Sequence, residues 1–106
     1  MSVEKKEFVL SKQILRSATS IGANIEEAYQ GESKSDFIHK LAIANKESFE
    51  THYWLRLLKD SEILEAKLAQ SLIIECDELQ RMLVAAIKTA KSKRSTINTS
   101  HFSFLD

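Results

Sequence analysis

The sequence contains no proline and only two glycines among 106 residues. A β-rich fold needs turn residues at short intervals, so this shortage predicts long helices joined by few, short connections. The one cysteine, Cys76, excludes an internal disulfide and a cysteine-rich zinc site. No apolar run approaches the roughly 18 residues that a membrane-spanning helix needs. Residues 1–12 also lack the pattern of a signal peptide, so we expect a reducing, cytoplasmic setting.

The positive and negative charges of the chain also balance. Lys and Arg together number 15, and so do Asp and Glu, which gives a formal net charge of zero. A strongly electrostatic nucleic-acid-binding protein would be basic overall, so this balance counts against that class while leaving room for a local basic patch. The content of 43% hydrophobic and 28% charged residues is that of an ordinary folded domain.

Apolar residues recur at steps of three and four in three long segments, which is the pattern of amphipathic helices. The first stripe consists of Leu10, Ile14, Ala18, Ile21, Ile25 and Ala28. The second consists of Phe37 or Ile38, Leu41, Ala44, Ser48, Thr51 or His52, Leu55 and Leu58, and the third of Leu68, Leu72, Cys76, Leu79, Leu83, Ala86 or Ile87, and Ala90. We predict an all-α, antiparallel up-and-down helical bundle over residues 1–94, with helices at about 8–31, 36–59 and 64–92. A flexible tail is predicted at 95–106.

The two glycines fall in different contexts. Gly22 lies inside the first predicted helix, where it costs on the order of 1 kcal/mol relative to Ala. We interpret it as a site of close helix approach beside Ala18 and Ala23, with a hinge as the alternative. Gly31 follows the last apolar residue of the stripe, and we predict that it ends the helix.

The sequence offers no arrangement suited to catalysis. Asp36 and His39 form the only acid-x-x-His pair, and they fall at a predicted helix start. Cys76 belongs to an apolar stripe, where a free cysteine behaves as a small hydrophobic residue. Neither a Gly-x-Ser-x-Gly elbow nor a Gly-rich phosphate loop occurs. We predict a protein that is not an enzyme and that has no metal, no cofactor and no small-molecule substrate.

The polar side of the first helix is unusual because hydroxyl and amide residues replace charges there. Arg16, Ser20, Asn24 and Glu27 follow at steps of four, four and three, so they share one helix face. We expect Arg16 to pair with Glu47 or Glu50 of a neighbouring helix, and Asn24 to bond across a helix interface. The predicted structural polar seam is therefore Arg16, Ser20, Asn24, Glu27 and Glu50, with a ligand site as the alternative.

Large rings lie beside the stripe of the second helix rather than in it. Phe49, Tyr53 and Trp54 are more aromatic surface than one core requires. We predict that they form a subunit interface.

Basic residues cluster at the end of the third helix. Lys88, Lys91, Lys93 and Arg94 are candidates for nucleic-acid contact, and a solvated helix end is the alternative. A ring of subunits would repeat such a patch, and the electrostatic fields of the repeated patches would add. No aromatic residue is interleaved with these charges in the sequence, so base stacking is not predicted.

The seam also carries a family resemblance. The segments QILRSATSIGANIEEA and SKSDFIHKLAIANKESFETHYWL resemble the bacterial four-helix-bundle proteins encoded in intervening sequences of 23S ribosomal RNA genes. The resemblance covers about residues 8–91. The matching positions are Gln13, Arg16, Ser17, Ser20, Ile21, Asn24, Ile25, Glu27, Ala28, Ser33, Phe37, Leu41, Ala44 and Glu50.

This resemblance implies an antiparallel four-helix bundle that assembles into a homopentamer and whose molecular role is mostly unassigned. A similar fold serves as a basic accessory protein of retroelements that binds nucleic acid, but the basic excess of that protein is missing here. Family members carry a further helix before the motif, and we expect this chain to lack it. We therefore expect an apolar groove where that helix would lie, filled by self-association, a swapped partner or the segment from Phe102 to Leu105. The predicted function is an oligomeric scaffold or interaction module, with a nucleic-acid-binding accessory protein as the alternative.

Overall fold

Three helices make up the computed structural model, which describes residues 2–92 apart from the side chain of Val3. They are α1 (Val3–Gln30), α2 (Lys34–Asp60) and α3 (Ala66–Ser92). The predicted all-α bundle is confirmed. Lys93, Arg94 and the predicted tail, including the Phe102–Leu105 docking segment, lie outside the described residues.

Helix α1 begins at Val3, one and a half turns earlier than the predicted start near residue 8. Ser2 is the N-cap, and its hydroxyl accepts a hydrogen bond of 3.2 Å from the Lys5 amide. Glu4 adds a negative charge at the positive end of the helix dipole. The sequence pattern missed this turn because polar residues with good helix propensity leave no apolar signal.

The connections are short. Gly31 ends α1 as predicted, and its backbone is extended there (φ −69°). Ser33 caps α2 and accepts a hydrogen bond of 3.0 Å from the Asp36 amide. The next turn lies later than predicted, because Asp60 still belongs to α2 and Glu62 (φ 58°) reverses the chain in the left-handed region.

Helix α2 is the central element. It packs along its length against both α1 and α3, while α1 and α3 hardly touch each other. Cross-helix pairs such as Arg16 with Glu50 and Lys40 with Glu27 show that α1 and α2 run antiparallel. Because only one side of α1 and of α3 is covered by α2, a groove remains between the two outer helices.

The core consists of two apolar clusters separated by hydroxyl residues. One cluster is centred on Phe37 and Leu41, and the other on Leu55 and Ile73. Between them lie three buried hydroxyl side chains, Ser17, Ser48 and Thr51. The predicted stripe of α2 is confirmed, since its buried residues are Phe37, Leu41, Ala44, Ser48, Thr51, Leu55 and Leu58.

The stripes predicted for the outer helices are only partly correct. Ser17 is fully buried, although the sequence pattern places it on the polar side of α1, and Ala18 is exposed. Leu68 is 49% exposed, and Ala69 and Ile73 take the core positions at the start of α3. The sequence pattern merged a core stripe with a second apolar stripe because both repeat with steps of three and four.

Gly22 does not mark close approach within the chain, which corrects the sequence interpretation. Outside its own helical turn, no described atom lies within 4 Å of the position that a Cβ would occupy. We therefore expect Gly22→Ala to raise the free energy of unfolding by about 0.5–1 kcal/mol, because Ala loses less backbone entropy in a helix. Urea denaturation at low protein concentration measures this change.

Gly31→Ala is the matched control. A Cβ at Gly31 would contact the carboxylate of Asp36, which would have to move. We expect a smaller gain there, and an equal gain at both positions would contradict the helix-entropy argument.

Candidate functional site

An apolar groove runs between α1 and α3, with α2 as its floor. Its main cavity has a volume of about 460 Å³. A second cavity of about 290 Å³ continues it toward the start of α1 and shares several lining residues. The principal lining residues are Ile14, Ala18, Ile21, Gly22 and Ile25 of α1, Leu55 of α2, and Leu72, Cys76 and Leu79 of α3. Glu75 is the one ionisable carboxylate among the residues that line the main cavity.

The dimensions and chemistry of this groove suit an α-helix. Ile14 and Ile25 are 11 residues apart, so the groove follows about three turns, or roughly 16 Å, of α1. The open space at Gly22 lets another backbone approach closely.

Beside the groove, α1 exposes an apolar ridge made of Phe8 and Leu15. These side chains are 67% and 68% exposed, and they lie two helical turns apart on one face. They border a third cavity together with Ser11 and Lys12. Leu15 also lines the second cavity, which continues the groove toward the start of α1. One molecule therefore carries both a groove and an exposed apolar ridge.

Arg16 joins α1 to α2 through two carboxylates. Its Nη2 donates a hydrogen bond to Glu50 Oε1 and lies 3.7 Å from Glu47 Oε1. We expected Arg16 to pair with Glu47 or Glu50, and in the structure it lies near both carboxylates. Trp54 Nε1 donates to the same Glu50 oxygen at 3.2 Å. The hydrogen bond from Arg16, followed by that from Trp54, lowers the pKa of Glu50.

The rest of the predicted seam does not act as one network. Asn24 donates to the Ser20 carbonyl at 2.9 Å and therefore bonds within its own helix, not across an interface as expected. Glu27 instead accepts a separate hydrogen bond of 2.8 Å from Lys40 of α2. Sequence periodicity showed that these residues share a face, but partner choice depends on where α2 lies.

Glu50 titration should be visible in tryptophan fluorescence, because Trp54 is the only tryptophan and bonds to this carboxylate. The Arg16 hydrogen bond lowers the pKa of Glu50, so its stabilising effect is full above the ordinary pKa and is lost as pH falls through the lowered value. We expect Arg16→Gln to shift the midpoint of the fluorescence titration to higher pH.

Lys12→Gln is the matched control for this titration, because it removes one cation from the same helix outside the seam. We expect its midpoint to equal that of the unmodified protein. Equal shifts in both variants would mean that general charge, not the Arg16 hydrogen bond, sets the pKa.

A separate concave surface lies away from the groove, on the other side of α3, between α3 and Phe49 of α2. It has a volume of about 520 Å³ and shares no lining residue with the groove. Arg81, Val84 and Lys88 line it, and Phe49 is 58% exposed. Phe49 and the basic residue Lys88 thus line the same surface, although they lie far apart in the sequence.

The three residues predicted as a subunit interface are distributed over different contacts. Tyr53 and Trp54 pack edge to face with ring centroids 5.1 Å apart, and Arg56 lies over Tyr53 at 5.9 Å. Trp54 is half-buried and donates a hydrogen bond to Glu50, whereas Phe49 faces the α3 side. An interface through all three stays a prediction. Lys91 is exposed near the end of α3.

The remaining chemical groups are engaged in structural contacts. Cys76 is buried and lies 3.2 Å from the Ser48 carbonyl, and burial, followed by the charge of Asp77, raises its thiol pKa. His52 Nε2 lies 3.0 Å from Asp77 Oδ1. Within residues 2–92, no three His, Cys, Asp or Glu side chains are placed to hold a metal ion. None of the helices described is long and apolar enough to cross a membrane.

These features define a class: an open three-helix bundle with an uncovered apolar groove and a charged seam between α1 and α2. Within that class, the chain belongs to the family of 23S rRNA-intervening sequence proteins, whose model matches residues 2–85. The family resemblance seen in the sequence is confirmed.

A solved relative supports the assignment. It is the crystal structure of a protein of unknown function from the S23 ribosomal protein family of Bacteroides thetaiotaomicron. The two chains are 53% identical and superpose with a TM-score of 0.76, and the match covers 80% of this chain and 76% of the relative. No curated protein matches this chain.

Proposed function

We propose that this protein is a non-enzymatic interaction module that assembles with copies of itself by accepting a helix into the α1–α3 groove. The observation that carries the proposal is the groove itself: its walls are aliphatic, it extends over about three turns of α1, and its small residue Gly22 has open space in front of it. An uncovered apolar surface of this kind marks an interaction site.

The occupant is a second copy, because the molecule also exposes the complementary shape. The ridge of Phe8 and Leu15 projects from α1 next to the groove. Two copies that place ridge into groove cover both apolar surfaces at once, either in a two-fold pair or head to tail around a ring. The ring would agree with the pentamer that the family resemblance implies. The buried, free Cys76 suits the reducing cytoplasm.

Molar mass as a function of protein concentration tests this function. Light scattering coupled to size-exclusion chromatography should give a mass above 12.1 kDa that is a whole multiple of it. The multiple distinguishes a dimer from a five-membered ring. A mass of one chain at every concentration up to about 100 μM would overturn the proposal, since specific self-association with a Kd of about 1 μM would be complete there.

A second candidate is a nucleic-acid-binding accessory protein. Lys88 and Lys91 have no ion-pair partner among residues 2–92, and an oligomer would repeat them around its symmetry axis. Neighbouring patches of one sign add their fields and attract phosphate groups. Retention on structured RNA that falls with rising salt supports this function, and no binding at low salt contradicts it.

A further inference from the structure

We propose that the concave surface between Phe49 and α3 binds single-stranded nucleic acid, with a base on the Phe49 ring and phosphates held by Arg81 and Lys88. This site deepens the second candidate function and rests on it. It differs from the contact predicted from the sequence, which placed binding at the terminal turns of α3 and involved no aromatic residue.

The first support for this site is the ring. Phe49 is 58% exposed and borders the surface, so one face of an apolar ring is open to a flat ligand. Val84 and Ala85 of α3 line the surface near it. Bases stack on such rings irrespective of their sequence, because every base has a π face.

The second support is the charge around the ring. Arg81 and Lys88 line the same surface and lie seven residues apart, about 10 Å along α3. Neither has an ion-pair partner within the described part of the chain. The acidic side chain at this surface, Asp77, is held by His52 at 3.0 Å.

This combination favours a nucleic acid over a protein helix. A helix of another protein would leave two cations to be paired or desolvated at an interface core, where charged residues are depleted. A nucleic-acid strand supplies both the flat apolar base and the anionic phosphate that this surface complements. The mainly aliphatic α1–α3 groove, whose main cavity has one lining carboxylate, Glu75, offers neither cations nor an aromatic ring, so the two surfaces take different partners.

Fluorescence anisotropy with labelled oligouridine and oligothymidine of about 12 nucleotides tests the site. At about 50 mM salt, we expect Phe49→Leu to weaken binding by at least about fivefold, because a stacked base contributes roughly 1–3 kcal/mol. We expect Arg81→Gln/Lys88→Gln to lower the slope of log Kd against log salt by about 1.4, since each phosphate contact on a single strand contributes about 0.7.

Two control variants distinguish binding at this surface from binding elsewhere on the molecule. Lys5→Gln/Lys6→Gln changes the net charge equally at the exposed start of α1, and we expect it to leave affinity unchanged. Lys91→Gln tests the helix end. If the protein binds and only these two variants weaken binding, the site is wrong while the second candidate function stands; if the unmodified protein does not bind, both fail. A changed molar mass in Phe49→Leu or in the Arg81/Lys88 variant would show a subunit interface and overturn the site.

Discussion

Ala18→Glu should weaken self-association by at least about 100-fold while leaving the fold of each chain intact. Ala18 is exposed on the wall of the α1–α3 groove, so glutamate fits the isolated chain. In an assembly, the same carboxylate would lie in an aliphatic interface without a partner, and burial of an unpaired charge costs several kcal/mol. We expect the dissociation constant to rise by at least about 100-fold, equivalent to ~2.7 kcal/mol. Sedimentation equilibrium measures this constant.

Ala23→Glu provides the matched control for this experiment. Ala23 is also an exposed alanine of α1, but it does not line the groove. The substitution adds the same charge to the same helix, so helix propensity and net charge change equally. If Ala23→Glu associates as tightly as the unmodified protein while Ala18→Glu dissociates, the groove is supported as the interface. If Ala18→Glu associates as tightly as the unmodified protein, copies meet through another surface.

Leu41→Ala should cost about 3 kcal/mol of unfolding free energy, within the usual range of 2–5 kcal/mol for a buried leucine. Leu41 is 1% exposed and contributes to the cluster in which all three helices meet. The surrounding residues belong to long, rigid helices, so the cavity can collapse only in part. A loss of this size is large for a chain of 106 residues, whose total stability is expected to be roughly 5–15 kcal/mol.

Leu68→Ala is the control for Leu41→Ala. It also tests whether Leu68 belongs to the core, as the sequence predicts, or to the surface, as in the structure. The apolar stripe assigned Leu68 to the core, whereas the structure leaves it 49% exposed. We expect the free energy of unfolding to change by less than about 0.5 kcal/mol, typical of a surface substitution. Both variants should be compared by urea denaturation at one fixed protein concentration, because association adds to apparent stability. A loss at Leu68 equal to that at Leu41 would restore the sequence interpretation of α3.

Helix α2 was predictable in detail because both α1 and α3 pack against its apolar side. Its core side chains face one apolar interior from Phe37 to Leu58, so the spacing of three and four corresponds to burial. The outer helices behave differently. In α1, the residues that face α2 and those that face the groove have the same spacing, and nothing local distinguishes Ser17, which is fully buried, from Ala18, which is exposed.

The Arg16 pairing was foreseeable because the next helix in the chain carries the two carboxylates of Glu47 and Glu50, and opposite charges on packed helices attract each other. The prediction for Asn24 was wrong because its bond to Ser20 satisfies it locally, and short amide side chains compete in this way with contacts across helices. The position of Phe49 beside Lys88 had no sequence signal, since 39 residues separate them and only the antiparallel packing of α2 and α3 brings them together.

The sequence by itself determined that the chain is helical, that it forms three long helices, and which family it belongs to, because propensity and motif are local properties of the chain. The tertiary structure decided which apolar stripe became core and which became the wall of an open groove. That choice depends on α2 lying between two helices that hardly touch, and no local property of α1 or α3 encodes the position of a neighbour.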